Sequence, residues 1–437
     1  VSARPDIVPN TAAATMDVTY LISEGGQSTI EKIVIQGNNK TRDKVIRREL
    51  AVAPGDVYNS IRVEASRKRL ENLNYFEKVE ISPQDTVAAE RKNMVVDVLE
   101  KRTGQFSFGA GFSSIDSLLG FVEVSQANFD LFNWPSFTGA GQRMRLRLQH
   151  GVRRQDYVLS FVEPWFMDQR ISFGFDLFYR ESSYFSSVFD ETRFGTAIKF
   201  GKSFNPFLAG RAVYRFESIG INNVDPNASP QILLEAGTRT RSAVELGLTH
   251  DTRDNFFLTR TGHKVDGFVE LAGGPFLGGT DLWRVGIDAS QFFHLGSDVI
   301  VQFQGSLQAV DSYGKPGRVP IFDRLFAGGA NNLRGFRYRD VGPRDENNEP
   351  IGGRSLALGT AELTFPIVDR VRGAVFTDAG FVSEGVFSTA SPSVDVGIGV
   401  RLNLPIGPLR LDYGIPVVTG DAVNSGGQFQ LNVGYQF

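Results

Sequence analysis

The chain contains no cysteine, and its 437 residues include only four histidines, three tryptophans and four methionines. Zero cysteine excludes disulfide frameworks and thiolate metal sites. The histidines, His150, His250, His263 and His294, fall in no HExxH or paired-ligand spacing. Lys and Arg total 46 against 49 Asp and Glu, and a net charge of −3 argues against a nucleic-acid partner. No run approaches the roughly eighteen apolar residues that a spanning helix needs. Neither a basic n-region nor an apolar h-region occupies Val1 to Asp6.

What the chain does have is phenylalanine, 36 residues, and glycine, 47 residues. Phe429, Leu431, Val433, Tyr435 and Phe437 fall on one side of an extended chain, with Gln430, Asn432, Gly434 and Gln436 on the other. The same two-residue period runs backward through most of the chain. Ile171, Phe173, Phe175, Leu177 and Tyr179 alternate with Ser172, Gly174, Asp176 and Arg180; Met144, Leu146 and Leu148 alternate with Arg143, Arg145, Arg147 and Gln149. A barrel with a wet interior places apolar residues at every second position, so a hydrophobic content of 41% hides a membrane protein. With no spanning helix, any spanning structure must be a closed sheet, because backbone groups in hydrocarbon find no water.

Residues 104–437 yield sixteen strand candidates, from 104–113 to 428–437. The even count returns both ends to one side. Connections after even-numbered strands are mostly short, as at Pro164 to Asp168, Phe204 to Pro206, His294 to Ser297 and Pro405 to Gly407; those after odd-numbered strands include the long 219–238 and 311–354. Short periplasmic turns and long extracellular loops are the usual asymmetry, and they place the N-terminal region in the periplasm. A soluble β-sandwich is the plainer alternative, but its strands are shorter than these. The aromatics of Phe129 to Phe137, with Trp134, fit an interfacial girdle.

Residues 27–101 read as a separate α+β module. Ile30 to Gln36 is a strand, Thr41 caps a charged helix through Leu50, and Ser60 opens a second helix in which Val63, Ser66, Leu70 and Leu73 keep helical spacing. Strands at Phe76 to Ser82 and Met94 to Glu100 complete a β-α-α-β-β order. Within residues 1–26, Met16 to Ile22 is expected to be an isolated strand, the C-terminal remnant of a preceding copy. For an outer-membrane protein, the missing leader implies processing or truncation.

Loop 311–354 carries Phe326-Ala327-Gly328-Gly329, then Leu333-Arg334-Gly335-Phe336, then Val341-Gly342-Pro343. A loop of this length in an economical barrel is functional or disordered, and this one is not low complexity. These residues resemble the sixth-loop signature of the outer-membrane protein assembly factors, the BamA-like superfamily, with Leu333 where Val is usual. The module at 27–101 resembles a POTRA domain. Asp251-Thr252-Arg253-Asp254 before a Gly262 turn, and Phe376-Thr377-Asp378-Ala379-Gly380, are similar to further family motifs; Leu258-Thr259-Arg260-Thr261 stands where the family often has Pro.

The resemblance implies that Arg334 folds back into the lumen and meets Asp378, with Glu362 as a second acceptor. Leu333, Gly335, Phe336 and Gly380 complete this loop-barrel lock. Glu362 has the inward phase, opposite to Ala361, Leu363 and Phe365, whereas alternation alone leaves the phase of Asp378 open. The plainer reading of Arg334 is a solvated loop charge.

The seam between the first and last strands is the second candidate, with Gly104, Phe106 and Phe108 on one side and Gly434, Tyr435 and Phe437 on the other. Gly104, Gly109 and Gly111 weaken pairing, so the seam could open and expose strand edges. Relief of crowding in a tilted barrel would call for the same glycines. His250-Asp251 invites a hydrolase reading, but no nucleophile elbow accompanies it.

These readings converge on a non-enzymatic outer-membrane assembly factor: a transmembrane barrel of sixteen antiparallel strands, preceded by a POTRA domain, that inserts nascent outer-membrane proteins through the seam. No cofactor or metal is expected. Implied partners are unfolded outer-membrane proteins, accessory assembly lipoproteins, outer-membrane lipid and lipopolysaccharide. The alternatives are a two-partner secretion transporter, a TamA-like translocation protein and, from another class, a passive diffusion porin.

Overall fold

The structure is a computed structural model that describes every residue except 1, 11–14, 24–25, 89, 114–116, 184, 256–257, 405–406, 424–425 and 434–437. The chain divides into two compact units, residues 1–104 with 126–142, and residues 105–125 with 143–437.

In the first unit, Ser2–Asn10 (β1) pairs antiparallel with Thr15–Ser23 (β2). The strand expected at Met16 to Ile22 is therefore not isolated but one arm of a hairpin. Pro5 and Pro9 disguise the other arm, because proline reads as a strand breaker although an edge position tolerates it.

Thr29–Gln36 (β3), the helices Asp43–Arg47 (α1) and Ser60–Asn72 (α2), Phe76–Asp85 (β4) and Arg91–Glu100 (β5) form a βααββ module. Its sheet order is β3-β5-β4, with β3 parallel to the central β5; a parallel neighbour needs a crossover, which the helices supply. Val63, Ser66 and Leu70 face inward from α2, and Ile30, Ile46, Leu70, Tyr75, Met94 and Val96 form the core. Asn59 caps α2, its side chain accepting from the N–H groups of Ile61 and Arg62 at 2.9 and 3.3 Å.

Thr41 does not cap the first helix. Arg42 holds the cap position without a side-chain bond, and α1 ends at Arg47, short of Leu50. The Thr41 hydroxyl instead accepts from Asn128 Nδ2 at 2.9 Å, and its N–H donates to Glu100 Oε1 at 2.6 Å. Of the expected girdle aromatics, Phe132 and Trp134 are exposed, whereas Phe129 is buried and stacks on Phe137 with ring centroids 5.8 Å apart.

The barrel consists of sixteen antiparallel strands: Gly104–Ser113 (β6), Ser117–Phe129 (β7), Gln142–Gly151 (β8), Arg154–Glu163 (β9), Ser172–Ser182 (β10), Asp190–Ser203 (β11), Leu208–Asn222 (β12), Gly237–Asp251 (β13), Gly262–Ala272 (β14), Leu282–Leu295 (β15), Val299–Ser312 (β16), Ser355–Val368 (β17), Val371–Ser383 (β18), Ser393–Leu404 (β19), Gly407–Val418 (β20) and Gln428–Val433 (β21). Each pairs with its sequence neighbours, and β21 returns to β6 to close the ring. Closure gives every strand a neighbour on both sides, which is what a lipid-embedded sheet requires. Among the described residues no helix is long and apolar enough to cross a membrane.

The alternation read from the sequence sorts the side chains. Leu246, Leu248, Val269, Ile287, Phe303, Leu307, Val375 and Ile398 lie exposed on the outer face, where lipid would cover them. Ion pairs such as Lys199 with Asp176 and Arg211 with Asp266 lie on the other face. At the short turn after β13, Gly262 has φ +101°, and a Cβ there would lie 2.4 Å from the Thr252 carbonyl oxygen. The N–H groups of Arg260 and Thr261 donate to Asp254 and hold its carboxyl below the ordinary carboxylate range. Thus Asp254 orders this turn without the family's Pro.

Candidate functional site

Loop 313–354 is fixed at two places inside the barrel unit. At the tip, Leu333 and Phe336 are fully buried in an apolar cluster with Leu282, Val310, Leu325, Val341 and Val382. Burying these two flanking side chains leaves Arg334, between them, aimed at the wall formed by β17 to β20. It is only 2% exposed.

An arginine removed from water needs its charge and its five donors answered. Asp378 on β18 accepts from Nε at 2.7 Å and from Nη2 at 2.8 Å, a bidentate pairing, and also from the Arg334 backbone N–H at 3.2 Å. Glu362 on β17 accepts from Nη1. The guanidinium carbon lies over the Phe376 ring, 3.4 Å from its centroid, in cation–π geometry. Asp378 is in turn oriented by the Thr360 hydroxyl, which donates at 2.8 Å.

The structure thus brings Arg334, Asp378 and Glu362 together and settles the phase of Asp378. Phe376, Asp378 and Gly380 all face inward. At Gly380 the atoms nearest a Cβ belong to the neighbouring strand, the Ala357 carbonyl oxygen at 2.5 Å and Leu358 at 2.7 Å.

Four residues that the sequence reading missed belong to the same cluster. Asp395 on β19 accepts from the Gly335 N–H at 2.9 Å. Asp412 on β20 lies 3.8 Å from the Arg334 guanidinium and accepts from Arg401 and Arg410, each at 2.6 Å. Arg401 also reaches Glu362 at 3.1 Å. Three arginines therefore face four carboxylates, of which Glu362, Asp378 and Asp412 are ion-paired and Asp395 accepts from the loop backbone.

Glycines make this seat possible. A Cβ on Gly335 would lie 2.5 Å from Asp395 Cβ, one on Gly414 would lie 2.6 Å from the Gly335 nitrogen, and one on Gly397 would overlap the Phe376 ring. The tip rests directly on the backbone of β20, an approach only glycine allows.

The second anchor lies near the start of the loop and reverses the polarity. Asp323, 2% exposed in the 3-10 turn Ile321–Asp323, pairs with Arg241 on β13 at 3.1 Å and with Arg284 on β15 at 3.7 Å. The Phe322 carbonyl accepts from Arg193 on β11 at 3.0 Å. Arg241 also meets Glu217 and Glu270 on the flanking strands. A loop arginine meets wall acids at the tip, and a loop acid meets wall arginines here.

At the seam, two residue pairs join β21 to β6 among the described residues, Asn432 with Ser113 and Val433 with Phe112. Phe106 and Phe108 are 67% and 77% exposed, as lipid-facing residues of β6. Gly104 has only Gln126 within 4 Å of a Cβ position, whereas the space at Gly109 is occupied by the Phe121 ring 2.8 Å away. Gly434, Tyr435 and Phe437 lie outside the described residues.

The hydrolase reading finds no geometry. His250 is hydrogen-bonded to His263 at 2.9 Å, and Asp251 is occupied by Arg253 at 2.7 and 2.9 Å.

A sixteen-stranded antiparallel barrel, carrying a long loop ion-paired to its inner wall and preceded by a βααββ module, defines a POTRA-bearing transmembrane barrel. The chain belongs to the Omp85 superfamily, whose domain matches residues 136–437, and residues 28–101 match POTRA, the surface antigen variable number repeat. It is 28% identical to the outer membrane protein assembly factor BamA of Nitratidesulfovibrio vulgaris over 97% of this chain and 53% of that protein. It is 27% identical to that of Neisseria meningitidis serogroup B over 88% of this chain and 50% of that protein. The chain spans about half the length of the curated relatives it matches. The crystal structure of BamA from Haemophilus ducreyi lacking POTRA domains 1–3 superposes with a TM-score of 0.81 at 22% identity, covering 99% of this chain and 89% of that one. CdiB from Acinetobacter baumannii gives 0.59 at 15% identity, over 99% and 78%. These two likenesses bear on the fold. The barrel is an outer-membrane barrel and the POTRA module is periplasmic.

Proposed function

We propose that this chain is the membrane-inserting part of an outer-membrane β-barrel assembly factor, which receives unfolded outer-membrane proteins and releases them folded into the bilayer. The observation that carries the reading is the Arg334 loop seated in the barrel of an Omp85 superfamily member that also carries a POTRA module.

The physical steps follow from edges. A nascent strand cannot enter hydrocarbon with unpaired N–H and C=O groups. An opened seam offers it the edge of β6 or β21 as a template, and each added strand presents the next edge. Substrate folding supplies the free energy, so neither nucleotide nor metal is required. The POTRA sheet has two edges, β3 and β4, for strand addition by substrates or by accessory lipoproteins. Membrane lipid and lipopolysaccharide would meet the apolar outer face.

A lumen crossed by an ion-paired loop speaks against a diffusion porin. Two-partner secretion is the nearer rival, since such a transporter would belong to the same superfamily. The deciding experiment places the chain in liposomes and adds a urea-unfolded β-barrel protein. Faster appearance of the heat-modifiable folded substrate in the bilayer is expected; a rate equal to that of empty liposomes overturns the reading.

A further inference from the structure

Each of the last five strands sends one inward polar residue to the loop tip. Glu362, Asp378, Asp395 and Asp412, on β17 to β20, are acids that answer the Arg334 guanidinium or the Gly335 N–H. The fifth, Gln430 on β21, is an amide and does the opposite work. Its Nε2 donates to the carbonyl oxygens of Arg334 and Phe336, at 3.3 Å each.

The chemistry at this position is selective. Two carbonyl acceptors require two N–H donors on one atom, which a glutamine amide supplies and a carboxylate does not. Turning the amide over would set its oxygen against both carbonyls, so the acceptors fix its orientation. Gln430 is 5% exposed and stands beside Asp412 in the β20–β21 register. Two residues further along the same face, Asn432 pairs across the seam with Ser113 of β6. The loop tip therefore holds the closing strand immediately next to the place where that strand meets the first one.

We propose that Gln430 is the positioning residue through which the seated loop controls the seam. While Arg334 is locked to Asp378, the tip carbonyls hold β21 in register against β6; when the tip leaves its seat, β21 loses that support and the seam opens. The support acts where β21 meets β6, beside the Asn432–Ser113 and Val433–Phe112 pairs. This deepens the assembly-factor reading and rests on it for its purpose, but the coupling itself concerns the resting protein.

Hydrogen–deuterium exchange on the full chain in phospholipid nanodiscs, without substrate, tests it, since exchange follows the rare open state. Gln430→Leu should speed exchange of amides 428–433 by about tenfold, the order expected for two neutral hydrogen bonds, with β12 and β13 unchanged. Gln430→Glu should do so by more. The decisive comparison is Arg334→Ala, since the native side chain bonds to Asp378 on β18 and Glu362 on β17. It should speed exchange at 428–433 comparably, and the double variant Arg334→Ala with Gln430→Leu should be no faster than the faster single one. Unchanged exchange at 428–433 in Arg334→Ala, or effects that multiply in the double variant, overturns the proposal. Should Gln430→Leu fail to fold, Gln430→Asn, which keeps the amide but shortens its reach, takes its place in the same comparison. Substrate insertion is scored separately in liposomes, so loss of the coupling and loss of the assembly function are distinguishable.

Discussion

Arg334 and Asp378, 44 residues apart in sequence, meet through two side-chain hydrogen bonds of 2.7 and 2.8 Å with almost no water access to either. In such a burial the value of the pair lies in its completeness. Both charges together are tolerable, and one alone is costly.

Removing the arginine should therefore free the loop. Arg334→Ala strands Asp378 in the wall without its counter-charge, at an expected cost of about 3–5 kcal/mol. Arg334→Lys keeps the charge but loses the planar fork and the stacking on Phe376, and should fall between alanine and the native protein. Glu362→Gln should be milder than Asp378→Asn, because Glu362 is a monodentate partner. Limited chymotryptic digestion of loop 313–354 in nanodiscs checks the order. Loop cleavage in Arg334→Ala no faster than in the native chain would contradict it.

Gly414 gives a prediction whose sign is diagnostic. Glycine in a strand interior costs about 0.5–1 kcal/mol relative to alanine, so Gly414→Ala should stabilise an ordinary strand. Here the new Cβ would meet the backbone of Arg334 and Gly335 at 2.6–2.8 Å, and backbone cannot swing aside as a side-chain end can. Gly414→Ala should thus raise loop cleavage and lower the temperature at which the barrel loses its folded gel mobility. A higher transition temperature with a protected loop would show that the tip does not occupy this seat.

The second anchor predicts how the loop leaves. Asp323→Ala removes the acid shared by Arg241 and Arg284, but Arg241 retains Glu217 and Glu270. The loop should stay in the lumen, held by its tip. Arg334→Ala alone should likewise leave the stem fixed. The double variant loses both anchors, and planar-bilayer recordings should change from small flickering currents in the single variants to large steady ones. Equal conductance in the double variant and the native chain would mean that other contacts retain the loop.

Much of this architecture was legible because a two-residue period says which way a side chain points. Sixteen strands and the inward phase of Glu362 followed from that alone. Alternation does not say which inward charges meet, since that depends on the register between strands, and so Asp395, Asp412, Arg401 and Gln430 went unassigned. Asp378 was ambiguous for a specific reason: Phe376 shares its inward face, where an aromatic is unexpected until a guanidinium is seen resting on it. Asp323 and Arg241 were missed because loop 313–354 has no period, and its path is set by buried pairs rather than by local preference. Thr41 was misread as a cap because its hydroxyl has a tertiary partner in Asn128.

The seam itself can be tested with cysteines, for which the native chain offers no competitor. Ser113 and Asn432 are register partners on β6 and β21, and facing partners in an antiparallel pair are within reach of a disulfide, whose Cα atoms sit about 4.4–6.8 Å apart. Ser113→Cys with Asn432→Cys should form the bond under mild oxidation, leave the barrel folded and abolish substrate insertion into liposomes, and a reductant should restore it. Each single cysteine variant should be insensitive to oxidant, which separates locking from local damage. If the seam is where substrates enter, a covalent bond must block them, because the template edge can no longer be exposed. Full insertion activity in the oxidised double variant would move the entry site away from β6 and β21, and the glycines of β6 would then be explained by packing alone, as Gly109 already is by the ring of Phe121.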